Sequence, residues 1–193
     1  MMEDPHHRVP YDFYPTPPEG TRALLSAERF TGTIWEPACG DGAISKVLVA
    51  RGYTVVSTDL IHRGYGAGGV NFLTETTTRA RNIVTNPPYG SGLADAFVRH
   101  ALHLVAPVSG SVAMLLNLAS LAHPMRHHQW TRRPPSNVYI LDELTCWPNG
   151  IERGFAAEHR YCWAIWKPGH IGRPALWWLS SAGFRSNHQS STT

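Results

Sequence analysis

Asn86-Pro87-Pro88-Tyr89 puts an amide side chain, a carbonyl on a donor-free backbone and an aromatic ring into four consecutive residues. Each proline lacks a backbone N–H and fixes φ, so the pair continues neither a sheet nor a helix interior. The first also pushes Asn86 toward an extended conformation. The apolar run Asn82-Ile83-Val84-Thr85 before it reads as a strand end, and Gly90-Ser91-Gly92 follows. The expected product is a stiff loop at a strand's carboxyl end, suited to gripping a flat, NH2-bearing group. Asn86 Oδ1 and the Pro87 carbonyl would accept from the amine hydrogens, and Tyr89 would stack on the ring. On its own, the same tetrapeptide also reads as a plain X-Pro-Pro turn.

A second constellation lies upstream. Glu36-Pro37-Ala38-Cys39-Gly40-Asp41-Gly42 falls between an apolar strand signal and a helix, where glycine lets backbone approach a ligand closely. It lacks the third glycine of the dinucleotide fingerprint. Asp59, at the end of the next strand, could accept from both hydroxyls of a ribose. The pairing fits NAD and S-adenosylmethionine equally, and an Asp at a strand end also serves simply as a turn or cap.

Positioning these residues requires an α/β domain. A helix is expected over 19–30, a strand over 33–35, a helix over 43–51 closed by Gly52, and a strand over 53–57. A glycine-rich loop over 63–69 leads to Asn71-Phe72-Leu73. Residues 93–106 read as an amphipathic helix and 111–118 as a strand covered on both faces. Residues 138–144 and 161–166 read as two strands with no helix between them, hence an antiparallel pair at the sheet's edge. Strands alternating with helices imply a parallel sheet with both faces covered. Ligands bind outside the carboxyl ends of such strands, where all three sharp segments fall.

The 193 residues suit one domain over 11–185, with a flexible segment over 1–10 and a disordered tail over 186–193. No apolar run approaches the ~20 residues of a membrane helix. The start MMEDPHHRVP lacks a signal peptide's apolar core, so a cytoplasmic location is expected. Cys39, Cys146 and Cys162 are too scattered for a disulfide framework and read as small buried hydrophobes. The net charge of +3, almost all of its cations arginine, permits a nucleic-acid partner without demanding one.

YDFYPTPP, EPACGDG, STDL and NPPY, in this order and spacing, resemble the class I amino-methyltransferases, in particular the small, prophage-like DNA adenine-N6 methyltransferases. The resemblance implies a Rossmann-like, mostly parallel seven-stranded sheet with an antiparallel edge strand, and S-adenosylmethionine as cofactor. It implies that Tyr14, Thr16 and Pro17 border the methionine part, with Glu36 meeting its amino group. Gly40 and Gly42 would let backbone pass beneath it and Asp59 would hold the ribose, with Ala38 and Leu60 also among the cofactor-binding residues. Asn71 and Phe72 would meet the adenine, although the family usually carries an acid where Asn71 stands. Asn86, Pro87, Pro88 and Tyr89 would form the catalytic loop.

Two loops could read a nucleic acid: the basic segment 125–135 and the loop 147–159. Arg126, His127, His128, Arg132 and Arg133 are expected to touch phosphate on the same rim as Asn86. His123, His127 and His128 match no metal template, and the neighbouring arginines repel a cation, so no metal is expected. Trp177 and Trp178 are expected to pack against the sheet edge. No stretch is long enough for a target-recognition domain, so sequence preference should be short or weak. Beside DNA adenine, RNA adenine or guanine and a protein glutamine amide remain open as substrates. A catalytically silent nucleic-acid-binding subunit is the reading from another class.

Overall fold

A computed structural model describes residues 13–152 and 159–184. The expected N-terminal segment, the C-terminal tail and part of the loop 147–159 lie outside the described residues.

Seven strands form one sheet: β1 Ile34–Glu36, β2 Val55–Ser57, β3 Asn82–Thr85, β4 Val112–Asn117, β5 Asn137–Leu141, β6 Tyr161–Trp166 and β7 Ala175–Leu179. Their spatial order is β2-β1-β3-β4-β6-β5-β7. All neighbours run parallel except β6, which is antiparallel to both β4 and β5. The two late strands therefore pair as expected. The outermost strand, β7, was not anticipated.

The helices are α1 Pro18–Ala27, α2 Ala43–Ala50, α3 Leu93–Val105 and the short α4 His127–Arg132. Prolines at positions 17 and 18 fit α1's first turn, where no helical donor is needed, and Glu19 complements the dipole there. The helix stops earlier than the apolar pattern implies because Glu28 turns extended and carries its carboxylate to β5. On α3, Ala94, Phe97, Val98, Ala101, Leu104 and Val105 recur at helical spacing and are all buried.

The pleat distributes alternate strand residues to two cores. Ile34, Val84, Ala113, Leu115 and Trp163 pack with α1 and α2 on one face. Trp35, Ile83, Met114, Cys162 and Ala164 pack with α3 on the other. Both fully buried indoles are satisfied: Trp35 Nε1 donates to Thr58 Oγ1 at 2.9 Å and Trp163 Nε1 to the Gly20 carbonyl at 2.9 Å. Removing either ring should cost about 3–5 kcal/mol.

At the amino ends of the parallel strands, the Glu28 carboxylate is buried. It accepts from Asn137 Nδ2 at 2.8 Å and Tyr139 Oη at 2.7 Å, and pairs with Lys167 Nζ at 2.9 Å. The opposite, carboxyl rim is thereby left to irregular loops. Residues 58–81, which cross from β2 to β3, contain a 3-10 turn at Phe72–Thr74 and no α-helix.

Candidate active site

Asn86 leaves the carboxyl end of β3 with its amide held by three groups. Nδ2 donates to the Tyr14 carbonyl at 3.1 Å and to Thr16 Oγ1 at 3.1 Å. Oδ1 lies 2.6 Å from the Tyr89 hydroxyl, which is also 2.8 Å from the Leu115 carbonyl. A phenol has one proton, so it donates to one of these acceptors at a time. Two donated bonds to oxygens fix which end of the amide is which. Tyr89 is turned inward, half-buried, its ring tilted 6.3 Å from that of Tyr161.

Asn86 and Tyr89 line a cavity of about 490 Å³ together with Pro87, Pro88, Glu36, Ala38, Gly40, Asp59 and Leu60. Tyr14, Thr16, Asn71 and Phe72 also reach it. Gly42 and Pro17 do not: Gly42 sits one step outward beneath the Tyr65 ring, and Pro17 faces the shallow groove between α1 and α2. Gly42 is required where it is by its φ of +83°, at the N-cap of α2.

Asp59 bridges the two halves of the rim. Its Oδ2 accepts from Gly40 N at 2.7 Å and its Oδ1 from Ile61 N at 2.9 Å. Glu36, 1% exposed, accepts from the backbone amide and the hydroxyl of Ser45. Burial pushes its carboxyl up to about 8, although the Ser45 bonds favour the anion. Cys39 is on the cavity wall, but burial pushes its thiol up to about 12 and the nearby Glu36 acts in the same sense. Burial likewise lifts Cys146 and Cys162 to about 12, so all three cysteines pack as small hydrophobes.

Asn71 caps its own 3-10 turn, Oδ1 accepting from Leu73 N at 3.1 Å. Phe72 is 2% exposed, wedged between Trp35 and Phe97 at 5.2 and 4.7 Å between ring centres. It buttresses the cavity wall from behind.

The basic segment is divided by the fold. Arg126 is at the rim, its Nε 2.6 Å from an oxygen of Asp95 in the first turn of α3. His127 and His128 are exposed on α4. Trp130 stacks on Trp166 at 5.5 Å, and the Trp166 indole donates to the Arg133 carbonyl at 2.9 Å. Trp166 pairs with Val112 at the start of β4. Arg132 and Arg133 therefore sit toward the end of the sheet opposite Asn86, contrary to the expectation of a shared rim. Among the described residues, no group of three His, Cys, Asp or Glu is placed to share a metal ion. No helix among them is long and apolar enough to cross a membrane.

No protein-family model matches the sequence, and no curated protein matches it. Solved structures do. A Listeria monocytogenes protein assigned as a class I S-adenosylmethionine-dependent methyltransferase aligns with a TM-score of 0.60 at 12% identity, over 91% of this chain and 68% of that one. A modification subunit assigned to a type I restriction enzyme of Vibrio vulnificus gives 0.58 at 13% identity over 87% of this chain. This chain spans only 47% of that subunit's length. A Pyrococcus horikoshii protein assigned as an RNA methyltransferase gives 0.58 at 13% identity, over 82% of this chain and 87% of that one. The fold is that of the class I methyltransferases.

Two residues of this cavity were not singled out from the sequence. Phe13 stands over Gly40, so close that a Cβ at Gly40 would come within 2.8 Å of its ring. The Arg63 guanidinium lies 4.3 Å from the centre of the same ring. Both line the cavity. The available signals were an aromatic inside YDFYPTPP and one cation inside a glycine-rich loop just after Asp59.

Proposed function

We propose that this chain transfers a methyl group from S-adenosylmethionine to the exocyclic N6 of adenine in DNA. One juxtaposition carries the reading: Asn86, Asp59 and Glu36 open into a single cavity at the carboxyl ends of β3, β2 and β1.

The donor set fits the cofactor. Each oxygen of Asp59 accepts one backbone bond and keeps a lone pair for a ribose hydroxyl. Asn71 Oδ1 likewise keeps one for an exocyclic amine. Glu36, neutral below about pH 8, acquires a reason to ionise when an ammonium group arrives. The volume falls within the roughly 300–1,000 Å³ of small-ligand sites. Bound there, S-adenosylmethionine supplies an electrophilic sulfonium methyl.

Adenine N6 is a poor nucleophile because its lone pair is delocalised into the ring. Asn86 Oδ1 and the Pro87 carbonyl accept from its two hydrogens and favour a pyramidal nitrogen. The bonds from Asn86 Nδ2 to Tyr14 and Thr16 keep Oδ1 presented, so alignment is achieved before the base enters. Oδ1 has room for the Tyr89 hydroxyl and one amine hydrogen together. Cys39 remains a thiol at neutral pH and takes no part as a nucleophile. The base reaches the cavity only after leaving its stack.

Tritiated methyl transfer to DNA, RNA and protein, measured side by side, tests the reading; DNA adenine should carry the label. The comparable length of the Pyrococcus neighbour favours RNA as the second reading. Cofactor binding by calorimetry without transfer to any of the three supports the silent-subunit alternative instead.

A further inference from the structure

The outer edge of β7 and its neighbours, Arg173 and Asp142, are complementary to themselves. Hydrogen bonds from Ala175 N to the Ser136 carbonyl and from Asp142 N to the Leu179 carbonyl show that residues 175, 177 and 179 turn their backbone groups toward β5. The N–H and C=O of Leu176 and Trp178 therefore point outward, and no described strand pairs with them. Among the described residues, nothing guards this edge. The stretch Pro174-Ala-Leu-Trp-Trp-Leu-Ser-Ser181 has no charge, and its one proline stands before the strand. Leu176, Trp177 and Trp178 are 50%, 52% and 73% exposed, against the expectation that the two indoles pack onto the sheet edge.

We infer that β7 pairs with β7 of a second copy, antiparallel across a twofold axis at Trp177, joining the two sheets into one of fourteen strands. Full overlap of the five residues sets Ala175 opposite Leu179 and Leu176 opposite Trp178. That register is the one in which both outward residues form closed hydrogen-bonded pairs, four ladder bonds in all. Leu176 of each copy then packs beside Trp178 of the other on one face. The two Trp177 rings meet on the opposite face, each still donating Nε1 to its own Asn137 Oδ1.

Charge agrees with the same register. It brings Arg173, exposed and without an ion pair among the described residues, opposite Ser181 of the other copy. The Ser181 amide and hydroxyl hold the Asp142 carboxylate at 2.7 and 2.9 Å. Two symmetric Arg173–Asp142 contacts close the ends. An isologous pairing of this kind repeats no further, so the product is a dimer and not a fibre. Because β7 lies in the same sense as β3 and β4, the two carboxyl rims face opposite ways.

Sedimentation equilibrium on the full chain tests this. The mass should rise with concentration from 21.4 kDa to twice that value and stop there, as expected of a small interface. Hydrogen exchange at Leu176 and Trp178 should slow as dimer forms. Trp178→Lys should leave a folded monomer with fast exchange at both amides. Arg173→Ala should raise the dissociation constant by roughly three- to tenfold, with weaker salt dependence. A mass of 21.4 kDa at every concentration overturns the inference. Protection of both amides in such a monomer would mean that this chain's own terminal residues cover the edge, which overturns it equally.

Discussion

The hydroxyl of Tyr89 lies 2.6 Å from Oδ1 of Asn86, so the aromatic ring and the amide of the proline loop are coupled before any ligand arrives. The same hydroxyl reaches the Leu115 carbonyl of β4. Loop and sheet are thus joined at one proton, and the amide's orientation is determined by tertiary contacts and not by the two prolines alone.

Asn86→Ala removes the acceptor and the two bonds to Tyr14 and Thr16. Turnover should fall by at least about 100-fold, as for loss of a preorganised polar group at the reacting centre. Cofactor binding by calorimetry should persist. Loss of binding with turnover retained would contradict the roles assigned.

Tyr89→Phe keeps the ring and deletes the coupling. Stability should drop by about 1 kcal/mol in urea unfolding, the scale of one partly buried hydrogen bond. Turnover should fall less than in Asn86→Ala. If Tyr89→Phe and Asn86→Ala prove equally inactive, the hydroxyl does more than orient the amide.

Glu36 makes stability depend on pH. Its folded pKa, about 8, exceeds the ordinary 4.5, so between these values the folded state holds a proton that the unfolded state has released. The contribution of Glu36 to stability should therefore be fully present below about 4.5, decline as pH rises toward about 8, and be absent above. Glu36→Gln should flatten that slope in thermal melts across pH. Binding of the methyl donor near pH 7 should release a proton in the wild type and none in Glu36→Gln, measured as the buffer dependence of calorimetric heat.

Asp59→Ala removes the acceptor for two backbone amides and, on the proposed function, for a ribose diol. Cofactor affinity should weaken more than about tenfold, and the loop after β2 should exchange amide hydrogens faster. Unchanged affinity would move the nucleoside elsewhere in the cavity.

Glu28→Ala offers a control at the far end of the sheet. It strands Asn137, Tyr139 and Lys167 and should cost about 3 kcal/mol of stability. Cofactor affinity, measured below the shifted melting point, should not change.

The chain's α/β alternation was legible because its strands are continuous apolar runs and α2 and α3 carry clear helical spacing. Asn86, Asp59 and Glu36 were legible for a different reason: each stands at the carboxyl end of a strand, where the topology converges. β7 escaped notice because Ala175–Leu179 lacks the alternation of a half-buried strand; its middle three residues are exposed on both faces. The inward turn of Tyr89 depends on the distance between β3 and β4, which no local pattern encodes. The split of the basic segment likewise follows from Trp130 finding Trp166, a contact 36 positions away. Gly42 was legible as a glycine, but not as the seat of Tyr65.

Phe13 roofs the cavity from above Gly40, sandwiched by Arg63 and tethered where its carbonyl accepts from Asn149 N at 3.0 Å. A guest lodged beneath that ring would rest against an aromatic face held in place by a cation and a main-chain bond, so loosening either contact should change how readily the guest leaves before it changes what Asn86 does to it.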